Sequence, residues 1–257
     1  MEVRVVGTGR GWRWIVEGFT LFLKSPVMWV VLAFGFFIAL KLLMRLPLLG
    51  LIAILLLPVF LAGMMEGCRA LERGETFLFG HLLSGFRKNT APLITIGGVS
   101  LVGNLLIAMV IMAIGGDAMT TMMKYAGKTS IPAEAVQSVQ QAISQATLAA
   151  GVGALLSLPL MMALWFAPLL VYFDDMRPPQ AMLYSFWACW KNALPFTVYG
   201  LFILLALIVA TPVGLATGQI DLSLWLMAPV LIPTIYTSYK DLFRAGDAAA
   251  SRSLSSQ

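Results

Sequence analysis

Charge is scarce in this chain, and the residues of metal and redox chemistry are scarcer still. Only 11% of the 257 residues are charged, 60% are hydrophobic and one is histidine. Soluble domains carry roughly 25% charged and about 45–50% apolar residues. The composition therefore excludes an ordinary water-soluble fold and points to a bilayer as the solvent for apolar side chains. Cys68 and Cys189 stand far apart with no CxxC pair, which argues against a disulfide framework or a zinc site. With His81 as the single histidine, no metal cluster and no Ser–His–Asp set can be assembled. No metal, no cofactor and no enzymatic activity are predicted. Acidic residues are also few, 12 against 17 Lys and Arg, for a formal charge of +5. In a soluble protein that excess would suggest nucleic acid. In a membrane protein it reads as topology, and no nucleic-acid partner is predicted. Gly7, Gly9 and Gly11 follow Val-Arg-Val-Val, but the third glycine comes one residue early for a dinucleotide fingerprint and no βαβ unit follows. The first 26 residues are too long and charged for a signal-peptide n-region, and no processing is expected.

Long apolar runs are what the chain has in plenty. A helix crosses roughly 30 Å of hydrocarbon with about 20 apolar residues. Six stretches qualify, at 27–44, 47–65, 92–114, 148–173, 195–217 and 222–239. They are apolar all round, as in Val27–Leu40 and Leu201–Ala210, where transmembrane strands would alternate. Of the 17 basic residues, all but Lys41, Arg45, Lys124 and Lys128 fall on the side that holds both chain ends. The positive-inside bias then predicts both termini in the cytoplasm. Every Asp, Glu, Lys and Arg lies at or beyond a span end, with Glu66 nearest the interior, which argues against a proton-coupled pump.

A unit recurs three times. An amphipathic segment ends in Lys followed by Ser or Asn, and a proline then opens a span. The copies run from Gly18-Phe19 to Lys24-Ser25-Pro26, from Gly85-Phe86-Arg87 to Lys88-Asn89 and Pro92, and from Ser185-Phe186 to Lys191-Asn192 and Pro195. Lys24, Arg87, Lys88 and Lys191 are expected to face lipid headgroups, while Ser or Asn caps the next helix. The second span of each unit carries its own mark, Pro58, Pro168 or Pro233, which frees a carbonyl and kinks the helix. The expected fold is an all-α integral membrane protein of six transmembrane helices. These form three repeated hairpins, each preceded by a short interfacial amphipathic helix. Its bounds are a flexible leader at 1–11, a single membrane domain at 12–245 and a disordered tail at 246–257. The repeats cover about residues 12–75, 76–178 and 179–247. A polar insertion at 116–147 enlarges the second unit, and Ser130-Ile131-Pro132 predicts that span four is extended outward from there. Small-residue rows, Gly63/Gly67, Ala146/Ala150/Ala154 and Ala210/Gly214/Gly218, suit close helix packing or a homo-oligomer. The methionines around Met109–Met123 read as packing residues rather than soft-metal ligands.

Several of these motifs resemble an uncharacterised family of proteobacterial inner-membrane proteins. They are Gly11-Trp12-x-Trp14-Ile15-x-Glu17-Gly18-Phe19, Phe166-Ala-Pro168-Leu-Leu, Pro178-Pro179 and Ser185-x-x-Ala188-x-x-Lys191-Asn192-x-x-Pro195-Phe196. The resemblance covers nearly the whole chain. More loosely, the repeat resembles a set of six-span bacterial proteins that includes the membrane domain of some glycerophosphodiester phosphodiesterases. It implies a bacterial inner-membrane location and transfers no activity. Two functions are then expected: binding or transport of an apolar or lipidic molecule, or a non-catalytic scaffold or assembly factor. Membrane lipids, with anionic headgroups, are the expected partners, and a homo-oligomer or a protein partner stays open.

Overall fold

A computed structural model describes residues 3–125, 132–218 and 222–244. The expected tail at 246–257, the Ser130-Ile131 helix start and Asp221 lie outside the described residues. Among the described residues ten α-helices follow one another and no strand occurs. They are α1 (Arg10–Leu23), α2 (Pro26–Leu43), α3 (Pro47–Glu72), α4 (Phe79–Leu82), α5 (Thr90–Tyr125), α6 (Val136–Trp165), α7 (Ala167–Asp174), α8 (Pro178–Lys191), α9 (Ala193–Ala216) and α10 (Leu222–Tyr239). A 3₁₀ turn at Ser84–Phe86 follows α4, and a π-helical turn at Lys240–Arg244 follows α10.

Among the described residues five stretches are long and apolar enough to cross a membrane: Pro26–Leu43, Leu48–Glu72, Thr90–Tyr125, Val136–Asp174 and Ala193–Ala216. The sixth expected stretch is the 18-residue helix α10. Prolines open these elements where an N–H would have no helical partner. Pro26 begins α2, and Pro92 and Pro195 lie in the first turns of α5 and α9.

The chain divides into two compact units. The smaller, Gly98–Met161, is a helical hairpin of α5 and α6. At about 1.5 Å per residue, the 36 residues of α5 exceed the roughly 30 Å hydrocarbon core. Helix α6 starts at Val136, ahead of the expected span four, and α5 runs on to Tyr125, past the expected end of span three at 114. Gly115 meets the Ala149 side chain and Gly153 that of Ile111. The buried seam on α6 is Ala142, Ala149 and Gly153. Ala150 and Ala154 of the expected row are exposed.

The larger unit runs up to Gly97 and resumes at Met162. Its core is aromatic and aliphatic, with Trp14, Trp29, Val59, Met65, Leu93, Phe166, Leu169 and Tyr239 almost fully buried. Helix α4 with its 3₁₀ turn packs on α3, and α8 packs on α7. The N-terminal helix α1 packs on α10. A small residue sits at each contact, beside the span's proline. Gly85 meets the Val59 carbonyl next to Pro58, and Gly18 meets Thr234 next to Pro233. Any side chain at either glycine would overlap the facing backbone.

Candidate functional site

The third such contact shows how a proline is accommodated. Ordinarily the Phe166 N–H would bond the Met162 carbonyl. Instead the buried Ser185 hydroxyl on α8 accepts the Phe166 N–H (2.9 Å) and donates to the Met162 carbonyl (2.6 Å). The helix breaks at Phe166 and restarts as α7 with Pro168 in its first turn. Pro168 thus interrupts its helix, whereas Pro58 and Pro233 lie inside the unbroken helices α3 and α10.

The junction residues behave differently from the expected caps. Neither Ser25 nor Asn192 caps the helix it precedes. Their neighbours instead hold other segments in place. Lys24 Nζ donates to the Leu71 carbonyl at the end of α3 (2.9 Å). Asn89 Nδ2 donates to the Val171 carbonyl (2.8 Å) and to Asp175 Oδ1 (2.7 Å). Asn89 and Asp175 both adopt left-handed backbone, at φ 58° and 53°, a conformation that Asn and Asp tolerate best among non-glycine residues. Lys88 pairs with Asp175 at 3.1 Å. These two partners hold the Asp175 carboxyl below its ordinary range, the Asn89 hydrogen bond first and Lys88 second. Arg87 and Lys191 are exposed. His81 Nδ1 accepts the Leu78 N–H (2.9 Å), a local capping role.

Asn192 is 1% exposed and clamps the leader. Its Oδ1 accepts the Val6 N–H (2.9 Å) and its Nδ2 donates to the Arg4 carbonyl (3.0 Å). The Arg4 N–H reaches the Leu242 carbonyl (3.0 Å). Residues 4–6, expected as a flexible leader, are therefore held between α8 and the π turn. Beside them Asp241, 8% exposed, accepts Arg10 Nε (2.6 Å), Trp14 Nε1 (2.9 Å) and Arg4 Nη1 (3.4 Å). Asp174 accepts Arg244 Nη2 (2.8 Å), and Glu72 accepts the Tyr236 hydroxyl (2.8 Å) and pairs with Lys240. Glu66 pairs with Arg69 at 2.5 Å, and Arg69 lies 4.7 Å above the Phe173 ring. Sequence reading had missed this cluster, because its partners lie up to 237 residues apart.

Two apolar cavities flank the proline-bearing spans. One, of about 400 Å³, lies between α2 and α3, with Gly35, Phe36, Leu56 and Phe60 in its walls and Phe79, Leu82 and Leu83 of the α4 region beside them. The other, of about 650 Å³, lies between α9 and α10, lined by Phe202, Val209, Leu226 and Val230, with Trp12 and Ile15 of α1 beside them. Each therefore combines two long helices that follow one another in the chain with a short helix packed on the second. Their volumes lie in the range of small-molecule pockets, about 300–1,000 Å³.

These features define an all-helical integral membrane protein with apolar cavities among its spans and a charged, cross-linked end. A probable inner membrane protein of Burkholderia thailandensis is 31% identical over 258 residues, spanning 95% of this chain and 93% of that one. The chain belongs to the family of that protein. No family model matches the chain, and no solved structure matches it.

Proposed function

We propose that the protein crosses the inner membrane six times, with both termini cytoplasmic, and binds or moves an apolar or lipidic molecule without catalysis. The observation that carries this reading is the pair of apolar cavities. Each adjoins a span with an internal proline, Pro58 in α3 and Pro229 and Pro233 in α10. Apolar walls remove acyl or other hydrocarbon surface from competing contacts, and helices with interior prolines repack at low cost.

A threefold repeat is part of the same proposal. The contacts of α4 on α3, α8 on α7 and α1 on α10 form a cyclic series, so the N-terminal helix serves the last hairpin as α4 and α8 serve the first two. Gly85, Ser185 and Gly18 then occupy one equivalent position, each against a span near its proline. In this arrangement the exposed aromatic residues Trp12, Phe19, Phe86, Trp187 and Trp190 lie at headgroup level with the exposed Arg87 and Lys191.

Native mass spectrometry of protein extracted gently from its own membrane tests the proposal. A reproducible lipid or apolar adduct is expected, and Gly35→Trp, which places an indole in the first cavity, should reduce it. A protein that emerges bare from both forms refutes ligand binding. Recovery with a stoichiometric protein partner and no lipid favours a scaffold.

A further inference from the structure

A third cavity, of about 430 Å³, differs from the other two in being lined by charge. It lies on the opposite side of α1 from Trp12 and Ile15, between α1, the end of α3, the last turn of α10 and the π turn. Four basic side chains and three carboxylates line it. Most of these charges are already matched. Arg10 lies 2.6 Å from Asp241 and 3.3 Å from Glu17, Lys240 pairs with Glu72, and Arg244 lies 2.8 Å from Asp174 outside the cavity.

Lys24 is the exception. Its ammonium donates to a backbone carbonyl, that of Leu71, rather than to a carboxylate. Lys240 faces the same space. Burial lowers its pKa from the ordinary lysine value; Glu17, the next influence, opposes that, and the charge of Lys24 adds a smaller lowering. Two ammonium groups thus converge on a cavity whose wall charges sum to one excess positive. A monoanion placed between them would satisfy the remaining Lys24 donors and relieve the repulsion.

We propose that this cavity binds a singly charged phosphate group, of the phosphodiester kind carried by anionic phospholipids. A fully ionised dianion would over-neutralise the wall and meet Glu17 and Glu72. The inference concerns a cavity separate from the apolar ones and stands or falls independently of their occupancy.

The test uses the full-length protein in detergent, with phosphatidylglycerol read by native mass spectrometry and inorganic phosphate by ³¹P line broadening. Wild type should retain one phosphatidylglycerol. Lys24→Ala should weaken retention roughly tenfold or more, the scale of a lost charge-assisted contact, while Lys24→Arg keeps most of it. Lys124→Ala, at an exposed basic residue of the smaller unit that plays no part in this cavity, should change nothing. Broadening of inorganic phosphate that Lys24→Ala abolishes, without lipid retention, would keep the phosphate site and assign it to a soluble ligand. If neither probe binds, or if Lys24→Ala binds like wild type while eluting as a folded monodisperse protein, the proposal is overturned.

Discussion

Replacing Ser185 by alanine isolates the chemistry that lets one helix break at Phe166. The hydroxyl is fully buried and satisfies two main-chain groups at once, the Phe166 N–H and the Met162 carbonyl. An unpaired buried donor or acceptor costs about 1–3 kcal/mol. The two orphaned groups could in principle close on each other as an ordinary helical bond. Phe166 opposes that, because its ring is fully buried against Phe196 and Phe243 at 5.9 and 5.5 Å and would have to move. Cys189 offers little relief, since its sulfur is already 3.7 Å from the same carbonyl and is a weak donor. Ser185→Ala should therefore destabilise the protein by about 1–3 kcal/mol, between the one-group and relaxed limits. Thermal unfolding followed with a thiol-reactive dye suits the question, because Cys68 and Cys189 are both buried. A Cys189→Ala background leaves Cys68 as reporter and separates global unfolding from local opening around α8. A loss below about 0.5 kcal/mol, the scale of an ordinary surface change, would refute the bridging role.

Asp241→Asn should release the leader. It removes the carboxylate that holds Arg10, Trp14 and Arg4. The expected cost is about 1–3 kcal/mol, at the lower end because Arg4 is largely exposed and its share is screened. Limited trypsinolysis should cut at Arg4 and Arg10 faster than in wild type, and unchanged cleavage would sink the idea. Cys189 supplies a pH test. Burial pushes its thiol from 9.0 up to about 12, so the folded state holds a proton that the unfolded chain releases first. Its contribution to stability is complete below pH 9 and is lost as pH rises from there towards about 12. Cys189→Ala should flatten that part of the stability profile, and the native thiol should resist N-ethylmaleimide at pH 8. Rapid native labelling would contradict its burial.

Where the apolar pattern is uninterrupted, the sequence was a close guide. The expected stretches at 27–44, 195–217 and 222–239 match α2, α9 and α10 to within two residues. Disagreement begins where charge enters a helix. The hydropathy of α3 ends near Met65, yet the helix runs to Glu72. Glu66 and Arg69 neutralise each other one turn apart, and Arg69 stacks on Phe173, so those charges extend the helix instead of ending it. Gly74, with φ +81°, then closes it in the left-handed conformation that glycine adopts freely. The junctions were misread for a different reason. Asn89 and Asn192 have the composition of caps, but their amides bond Val171, Asp175, Arg4 and Val6. No local pattern distinguishes an amide that bonds the next turn from one that bonds a segment 82 or 188 residues away. The cavities were legible only as an expectation about kinked spans, since their walls are made by residues from three helices each.

The leader has a physical rationale within the proposed cycle of repeats. In the first two hairpins the covering element follows directly in the chain, so α4 and α8 reach their spans by local docking. On α10 the covering element is α1, which comes from the far end of the sequence. That contact closes a loop of more than 200 residues, and loop closure grows costlier with length, though slowly. The extra fastenings at this one junction answer that cost. Thr237 Oγ1 bonds the Trp14 carbonyl (2.9 Å), Asp241 gathers Arg10, Trp14 and Arg4, and Asn192 with Leu242 holds the leader's backbone. The junction after α4 has fewer, with Asn89 on Val171 and Asp175 and Lys88 on Asp175, and α8 is tied to the Phe166 break by Ser185. Polar groups are thus concentrated where connectivity helps least, and the same concentration builds the charged cavity beside α1.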